Sequence, residues 1–588
     1  MKLSFLKIET MNQSSLLGFS ITSWLCLMFL VVIRLWLVSG QNVFAIGGNV
    51  HDDMLFLNLA NSLLEGNWLG QYNQITLIKG PIYPLWISLV YLLGIPLLFA
   101  QHLLYLLSCF VFCISIKPLI RSTPVLISIF TLMLFNPMSY VDGPMTRILR
   151  EGIYPALALF VVASVIGILI RHSWSIKALI PWSIGLAISV SAFWLIREDS
   201  IWLIPGVVAI LCFSLWTILK DGEKDWPRVI VCLFPFMFLF ISIGTVSTIN
   251  KNYYGTFSVV DIKTPEFLAA YGALTRVKQG TWQPVVPVTR EVREKIYAVS
   301  PAFSELKPYF VADIGGWGST VKNIREGMKL NPELDRSMKA VFQRDGSGFW
   351  EETFNDDQQE LLGAVFIWTF RYAAAAAGYH TSGDVAGEYY LRLAREINLA
   401  CDEGQLDCYR ERTSLVPPLN LGYAVPLFKT VINSLVYLAR FDEFKASVSA
   451  SSGSVESLNI YRNLTREPIS ALDNQSIKNG RSSLDNIKLT VMTSIAKIYQ
   501  LSMPVIFIFA GVVYLITTIQ TFKSRMINSL WVITSIILMS IFVRAGELAM
   551  VHITSFPTIN LIYLSPSYPL LLIFSALSLF HWYQRQSL

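Results

Sequence analysis

Ten apolar runs, most of them long enough to cross a bilayer as a helix, constrain the fold more than any other feature of this sequence. A helix needs about 20 apolar residues to span the hydrocarbon core. Of the 588 residues only 15% are charged, and the mean hydropathy is +0.51, so soluble, disordered and nucleic-acid-binding proteins are excluded. The predicted spans are 16–38, 102–118, 124–138, 153–170, 178–196, 201–219, 230–249, 502–521, 530–543 with its flanks, and 559–580.

The basic residues predict how these spans are oriented, because short cytoplasmic loops collect Lys and Arg. The formal net charge of +6 is expected for such a protein and requires no nucleic-acid partner. All the basic loops lie inside if the short run 85–99, which contains Gly94 and Pro96, is a re-entrant or shallow helix on the outer side. The basic residues that predict this orientation are Lys2, Lys7, Lys117, Arg121, Arg171, Lys177, Lys220, Lys224, Arg228, Lys523, Arg525 and Arg585.

The predicted fold is therefore a polytopic α-helical membrane protein with about ten transmembrane helices and a large, mainly helical extracytoplasmic domain. Residues 1–249 form a module with seven crossings, in which 39–81 is an outer loop. Residues 250–495 form the extracytoplasmic domain, and 496–588 carry three more crossings. Within the domain, 363–400 is the clearest predicted helix, and the Ser- and Asn-rich stretch 447–483 is predicted to be a loop. The first run has no A-x-A-like cleavage site, which favours an uncleaved anchor, and both termini are expected in the cytoplasm of a bacterial inner membrane.

Cys401 and Cys408 close a short loop on the predicted outer side, where a disulfide is favoured over two thiols. The histidines show no shared ligand spacing, and neither a Walker motif nor a Gly-rich dinucleotide loop occurs.

The segment after the first span carries the clearest candidate catalytic residues. Asp52 and Asp53 follow His51, and 54–65 is predicted to be a short amphipathic helix. Asp52 could simply cap that helix, or one of the two carboxylates could act as a general base. Lys79 closes the segment, and either reaches the interface with its long side chain or binds a lipid phosphate.

Two further outer segments carry candidate anion-binding arginines. Arg147 and Arg150 precede the span 153–170, with Glu151 placed for an i,i+4 pair with Arg147. Guanidinium groups bind phosphate oxygens well, which favours an anion-binding role for both arginines. Arg197, Glu198 and Asp199 form a hairpin tip. Either their opposite charges compensate one another within the turn, or Arg197 contributes to a phosphate site.

In their order these motifs resemble the GT-C membrane glycosyltransferases, which include protein O-mannosyltransferases and the aminoarabinose transferase. The resemblance rests on HDD at 51–53, on KGPIYPLW at 79–86, on TRILREGIYP at 146–155 and on YLSPSYPLLL at 563–572. It covers about 16–249 well and the last three helices loosely, but not the domain 250–495.

The resemblance implies transfer of a sugar from a polyprenyl-phosphate-linked donor to a hydroxyl of a glycan, lipid or protein acceptor at the outer face of the membrane. It implies Asp52 as the base in an inverting reaction, although Asp53 stands where many members have Glu, which leaves the choice between the two open. Lys79, Arg147, Arg150 and Arg197 would bind the donor phosphate, with His51, Glu151 and Glu198 in support. No metal is required, although Asp52, Asp53 and Glu151 could hold a divalent ion.

Two other functions remain open at this point. A transporter or flippase of lipid-linked saccharides would use the same arginines without bond chemistry, although the sequence shows no symmetry between halves. A non-catalytic membrane scaffold would leave the acidic pair and the outer arginines unexplained.

Overall fold

The computed structural model of the protein describes residues 20–47, 50–220, 225–312, 332, 360–418, 420–468, 482–525 and 527–586. Residues 16–19 of the first predicted span, residues 469–481 of the predicted loop, and Lys2, Lys7 and Lys224 lie outside this set.

The described chain is helical, and the helices fall into three stretches of sequence. Up to residue 255 they are α1 (Ile21–Val38), α2 (Asp53–Leu64), α3 (Ile82–Leu92), α4 (Leu97–Ile116), α5 (Thr123–Leu134), α6 (Tyr154–Arg171), α7 (Ile176–Ile196), α8 (Ile204–Lys220) and α9 (Trp226–Tyr254). The middle stretch contains α10 (Pro265–Arg276), α11 (Arg290–Val299), α12 (Pro301–Ser304), α13 (Lys307–Val311), α14 (Gly363–Ala376), α15 (Gly383–Asp402), α16 (Ala424–Arg440) and α17 (Val455–Thr465). The last contains α18 (Ser483–Ser524), α19 (Ser529–Thr554), α20 (Leu561–Leu564) and α21 (Ser567–Gln586).

Nine helices in the described ranges are long and apolar enough to cross a membrane, and eight of them coincide with predicted spans. The chain is thus a polytopic helical membrane protein. Two predicted spans differ: 124–138 is the shorter apolar helix α5, and 559–580 is divided into α20 and α21. The shallow helix predicted at 85–99 is α3, which ends at Leu92, while residues 97–99 already belong to α4.

The ninth helix is α16 with its preceding turn, Leu421–Arg440, which the sequence analysis assigned to the extracytoplasmic domain. Its apolar side chains are exposed, whereas Thr430 and Ser434 on the opposite side are buried against α19 and α18. Such an inside-out pattern is typical of a helix that faces lipid. The exposed apolar residues are Leu421, Val425, Phe428, Ile432 and Val436.

Helix α6 forms the centre of the membrane part. All its residues except Phe160 are buried, and it packs against α4, α7 and α8. Gly167 allows the contact with α7, since a Cβ at this position would lie 2.1 Å from the ring of Trp182. Close packing of this kind tolerates no added volume.

A second hydrophobic core lies in the region between residues 267 and 406. Phe267, Phe370 and Tyr390 pack at its centre, with ring centroids 5.1 to 5.9 Å apart. The single helix predicted at 363–400 is in fact two helices, α14 and α15, separated at Gly378, whose φ of 90° is left-handed. The structure joins Cys401 and Cys408 in a disulfide at the end of α15.

The segment 441–467 packs on the membrane helices and not on this second core. Phe441 and Phe444 contact Tyr568, and Tyr461 belongs to the same buried cluster as α6. The predicted loop at 447–483 therefore contains a helix, α17, which lies across α2 and α3. The helix α18 begins at Ser483, before the predicted boundary at 495, and it exposes apolar side chains such as Leu484 and Ile487 while it buries Met492.

Replacing Gly167 by Ala tests the packing of α6 on α7. We expect a loss of about 1–3 kcal/mol of stability, because the new methyl group overlaps the Trp182 ring. Thermal unfolding of the purified protein measures the loss. Gly244→Ala is the matched control, because nothing lies within 4 Å of its added Cβ. Equal melting temperatures for the two variants would contradict the described packing.

Candidate functional site

Three sequence segments that carry charged residues meet at one end of the membrane helices. They are the stretch between α1 and α3, the stretch between α5 and α6, and the turn between α7 and α8. Gly80 brings the first segment against the third, because a Cβ there would lie 1.8 Å from the carbonyl oxygen of Leu195. A Cβ at Gly152 would lie 2.3 Å from the side-chain oxygen of Gln101 in α4. Glycine is thus required at Gly80, where the facing atom belongs to the backbone.

Asp52 is the most accessible carboxylate of this end. It stands at the N-cap of α2, but its side chain makes no capping hydrogen bond and pairs with Lys79 instead. One of its oxygens lies 3.9 Å from Nη2 of Arg147, and 36% of the side chain is exposed. Burial alone would raise the pKa of Asp52, but the Lys79 and Arg147 cations outweigh it and hold that pKa below its ordinary value. Asp52 is therefore an ionised, partly open carboxylate.

Asp53 has the opposite environment. Its side chain is fully buried, and both oxygens accept hydrogen bonds from Arg147: Oδ2 lies 2.9 Å from Nε and 2.5 Å from Nη2, and Oδ1 lies 3.1 Å from Nε. A two-pronged pairing of this kind fixes both side chains. The pair expected between Arg147 and Glu151 does not form, because residues 147–151 are not α-helical. Asp53 thus holds Arg147 in place and faces no open space.

The two remaining arginines of the prediction are paired as well. Nη1 of Arg150 lies 2.8 Å from Glu198 and donates to the carbonyl of Ile196 at 3.2 Å. Arg197 is almost completely buried, pairs with Glu151, and lies 2.6 Å from Asp199. Arg197 is thus neutralised in part by Asp199 of its own hairpin tip, which favours the first of its two predicted roles over phosphate binding.

The ion pairs continue into the last helices. Arg544 of α19 has no exposed side-chain surface, and it bonds Asp199 at 2.8 Å, Glu547 at 2.9 Å and the carbonyl of Tyr563 at 2.9 Å. Tyr563 begins the Pro-containing motif noted in the sequence, and its ring also lies 5.5 Å from the Arg197 guanidinium. Sequence reasoning left Arg544 outside the site, since Asp199, the partner that connects it to the site, is 345 residues away.

A short extended segment fixes the loop that carries Arg147. Asp142 accepts hydrogen bonds from Ser447 at 2.7 Å, Ser449 at 2.6 Å and Thr146 at 2.7 Å. The backbone of Phe44 in turn donates to the carbonyl of Thr146 at 2.9 Å. The position of Arg147 against Asp53 thus depends on residues 447–449, which carry no sequence motif.

His51 lies against the second core. Its ring is 4.5 Å from Trp368 and 5.5 Å from Tyr372, both on α14. Burial lowers the pKa of His51 to about 4, so the imidazole is neutral at neutral pH. The two aromatic residues could not be identified from the sequence, since α14 carries no signal that links it to the acidic pair.

Acidic side chains slightly outnumber basic ones in this cluster, which contains Lys79, Arg147, Arg150, Arg197 and Arg544 against Asp52, Asp53, Glu151, Glu198, Asp199 and Glu547. Every basic residue of the cluster is thus paired with at least one carboxylate. Asp52, Asp53 and Glu151 each pair with a different basic residue, and the described residues contain no group of three or more His, Cys, Asp or Glu that could hold a metal. The carboxylates as arranged do not fit a divalent ion.

Among proteins of known structure, the chain is similar to ArnT from Cupriavidus metallidurans in two states. The apo state matches with a TM-score of 0.30 and 12% identity, and the state bound to undecaprenyl phosphate with 0.29 and 11%. In both comparisons 93% of this chain and 78% of the other are covered. No protein-family model and no curated protein sequence matches the chain.

Replacing Glu151 by Gln tests whether the buried ion pairs hold the site together. Arg197 keeps its charge and its pair with Asp199, but its Nη1 then faces a neutral amide, so we expect a loss of about 1–3 kcal/mol in stability. Thermal unfolding of the purified protein measures this loss. Glu291→Gln is the control, because the Glu291–Lys295 pair is exposed and contributes little. A melting temperature for Glu151→Gln equal to that of the control would show that the buried pair is dispensable.

Proposed function

We propose that the protein is a glycosyltransferase that uses a polyprenyl-phosphate-linked sugar, with Asp52 as the general base. The observation that carries the proposal is the contrast between the two adjacent carboxylates. Asp52 is 36% exposed and ionised, whereas Asp53 is fully buried and held at both oxygens by Arg147. Only the former has room for an acceptor hydroxyl within hydrogen-bond reach.

In the proposed reaction the acceptor oxygen attacks the anomeric carbon as its proton passes to Asp52. The bond between that carbon and the phosphate oxygen breaks, and its electron pair stays on the phosphate. A single displacement of this kind inverts the anomeric configuration. Positioned cations favour the step, since they stabilise the charge that develops on the leaving phosphate.

Lys79 and Arg147 are the proposed phosphate ligands, with Arg150 behind them. Both lie next to Asp52, and each keeps some exposed side-chain surface. Because every cation of the cluster is already paired, we propose that the phosphate takes Lys79 from Asp52. That exchange removes the cation that lowers the pKa of Asp52 and makes this carboxylate a stronger base. Arg197 is left out of the phosphate site, since it is bonded to Glu151 and Asp199.

The proposed location is the outer face of a bacterial inner membrane. The Cys401–Cys408 disulfide supports it, because disulfides persist in oxidising compartments. The segment that carries Asp52 contacts the same region of the protein, because Arg371 of α14 donates to the carbonyl of Gln74 and pairs with Asp261. The termini would then lie in the cytoplasm. The acceptor class, whether glycan, lipid or protein, stays open.

The two aspartates separate the proposed chemistry from transport. Asp52→Asn should lower transfer from a polyprenyl-phosphate sugar by about 10²- to 10⁴-fold while polyprenyl phosphate still binds. Asp53→Asn should weaken lipid-phosphate binding, because it releases Arg147. Release of polyprenyl phosphate measures the reaction, and binding of labelled lipid measures affinity. Movement of an intact lipid-linked sugar across vesicles without bond cleavage would contradict transfer and favour a flippase.

The pH profile tests the coupling between Lys79 and Asp52. In the wild type the acid limb of kcat/KM should lie below the ordinary carboxyl range, because Lys79 and Arg147 lower the pKa of Asp52. In Lys79→Gln the effect of burial outweighs the remaining effect of Arg147, so the pKa of Asp52 rises. The acid limb of kcat/KM therefore moves to a higher pH than in the wild type. Lys251→Gln, which breaks an exposed pair with Asp384, should leave the profile unchanged. An identical acid limb in Lys79→Gln and wild type would exclude Asp52 as the base.

A further inference from the structure

A second cleft lies in the region between residues 275 and 423, outside the ion-pair cluster. Its volume is about 100 Å³, which is smaller than the site of a drug-sized molecule and suits a single ring of a ligand. Three aromatic rings line it, those of Trp282, Tyr409 and Tyr423. Trp282 and Tyr409 are well exposed, at 39% and 42%.

The polar groups of the cleft are amides and hydroxyls. Gln279, Gln283 and Asn420 line it together with the aromatic rings, and its described lining contains no charged side chain. The ammonium of Lys278 lies 5.6 Å from the centre of the Tyr409 ring, but it is paired with Asp407 at 2.8 Å and so gives little attraction to an anionic ligand. A purely apolar ligand would leave the amides of the cleft without partners. The cleft therefore suits a ligand with apolar faces and many neutral hydroxyl groups.

The walls of the cleft are fixed before any ligand arrives. The Tyr423 hydroxyl donates to the carbonyl of Pro284 at 2.9 Å, and its ring stands edge-on to Trp282 at 4.9 Å. Gln279 donates to the carbonyl of Val286 at 2.6 Å and accepts from the backbone of Gln283 at 2.7 Å. A preformed site of this kind loses little entropy when it binds a ligand.

The disulfide loop supplies the opposite wall. The backbone N–H of Tyr409 donates to the carbonyl of Arg276 at 2.7 Å, and the backbone N–H of Lys278 donates to the carbonyl of Asp407 at 2.8 Å. Cys401–Cys408 ties this wall to the end of α15. Tyr409 is thus held in position by a crosslink one residue away.

We propose that this cleft binds a neutral saccharide ring. The C–H faces of a pyranose are apolar and pack on Trp282 or Tyr409. Its hydroxyl groups both donate and accept hydrogen bonds, which matches the amides of Gln283 and Asn420. If the proposed glycosyl transfer is correct, the cleft selects a glycan acceptor, and that extension rests on the proposed function. The binding of a saccharide does not.

The test measures saccharide binding to the full-length protein in phospholipid nanodiscs. Sugar-headed detergents are avoided, since their headgroups are themselves candidate ligands. Saturation-transfer NMR is recorded with maltotriose, cellotriose, mannotriose and N,N′,N″-triacetylchitotriose. We expect at least one of them to bind, and Trp282→Ala to weaken its Kd by about threefold to tenfold or more. Gln283→Ala should weaken the same ligand, while Tyr253→Ala, at an exposed tyrosine outside the cleft, should not.

Two results would overturn the proposal. One is the absence of saturation transfer from all four sugars at millimolar concentration in protein that melts normally. The other is binding that survives both Trp282→Ala and Gln283→Ala. A polyproline peptide serves as the rival ligand, because aromatic clefts also bind such chains, and Trp282-dependent binding of the peptide alone would likewise overturn it. Asp52→Asn should keep saccharide binding, which separates failure of the cleft from failure of the transferase proposal.

Discussion

The buried guanidinium of Arg197 is the constraint on which the functional end of the protein depends. Arginine does not lose its proton in a protein, so it can be buried only beside carboxylates. Arg197, which follows α7, pairs with Glu151, which precedes α6. Asp199 pairs with both Arg197 and Arg544 of α19. One set of ion pairs thus joins the ends of α6 and α7 to α19 in the last group of helices. A displacement of any of these elements would leave a charge buried without compensation.

The same principle explains how two neighbouring aspartates acquire different roles. The extended segment that holds Asp142 positions Arg147, and Arg147 occupies both oxygens of Asp53. Asp52, one residue earlier, turns outward to Lys79 and stays partly exposed. A rigid charged framework therefore surrounds one accessible carboxylate. This is the arrangement that a general base next to an anionic leaving group requires.

Features with a local signal could be predicted from the sequence. Eight apolar runs became membrane helices, and the short helix after the acidic pair was placed within one residue at each end. Helix α16 was missed as a membrane-facing element because the whole stretch 250–495 was assigned to the extracytoplasmic domain, whereas the structure buries Thr430 and Ser434 of this helix and exposes apolar side chains. Gly378 was not recognised as the break between α14 and α15, because the alanines before it favour helix.

Pairing partners were the part of the site that the sequence could not provide. Spacing alone suggested that Arg147 bonds Glu151, but its partner is Asp53, 94 residues away in the chain. Arg544, Trp368 and the serines at 447 and 449 have no local pattern that links them to the acidic pair. Long-range contacts of this kind depend on which helix ends meet, and that is a property of the folded chain.

The most direct test of the central claim is a structure of the protein with polyprenyl phosphate bound. The account predicts phosphate oxygens within hydrogen-bond distance of Lys79 Nζ and Arg147, with Asp52 separated from Lys79 and facing the open side. It also predicts that the Arg197 pairs with Glu151 and Asp199 remain intact. Phosphate bound elsewhere, with the Lys79–Asp52 pair still closed, would contradict the role assigned to both residues.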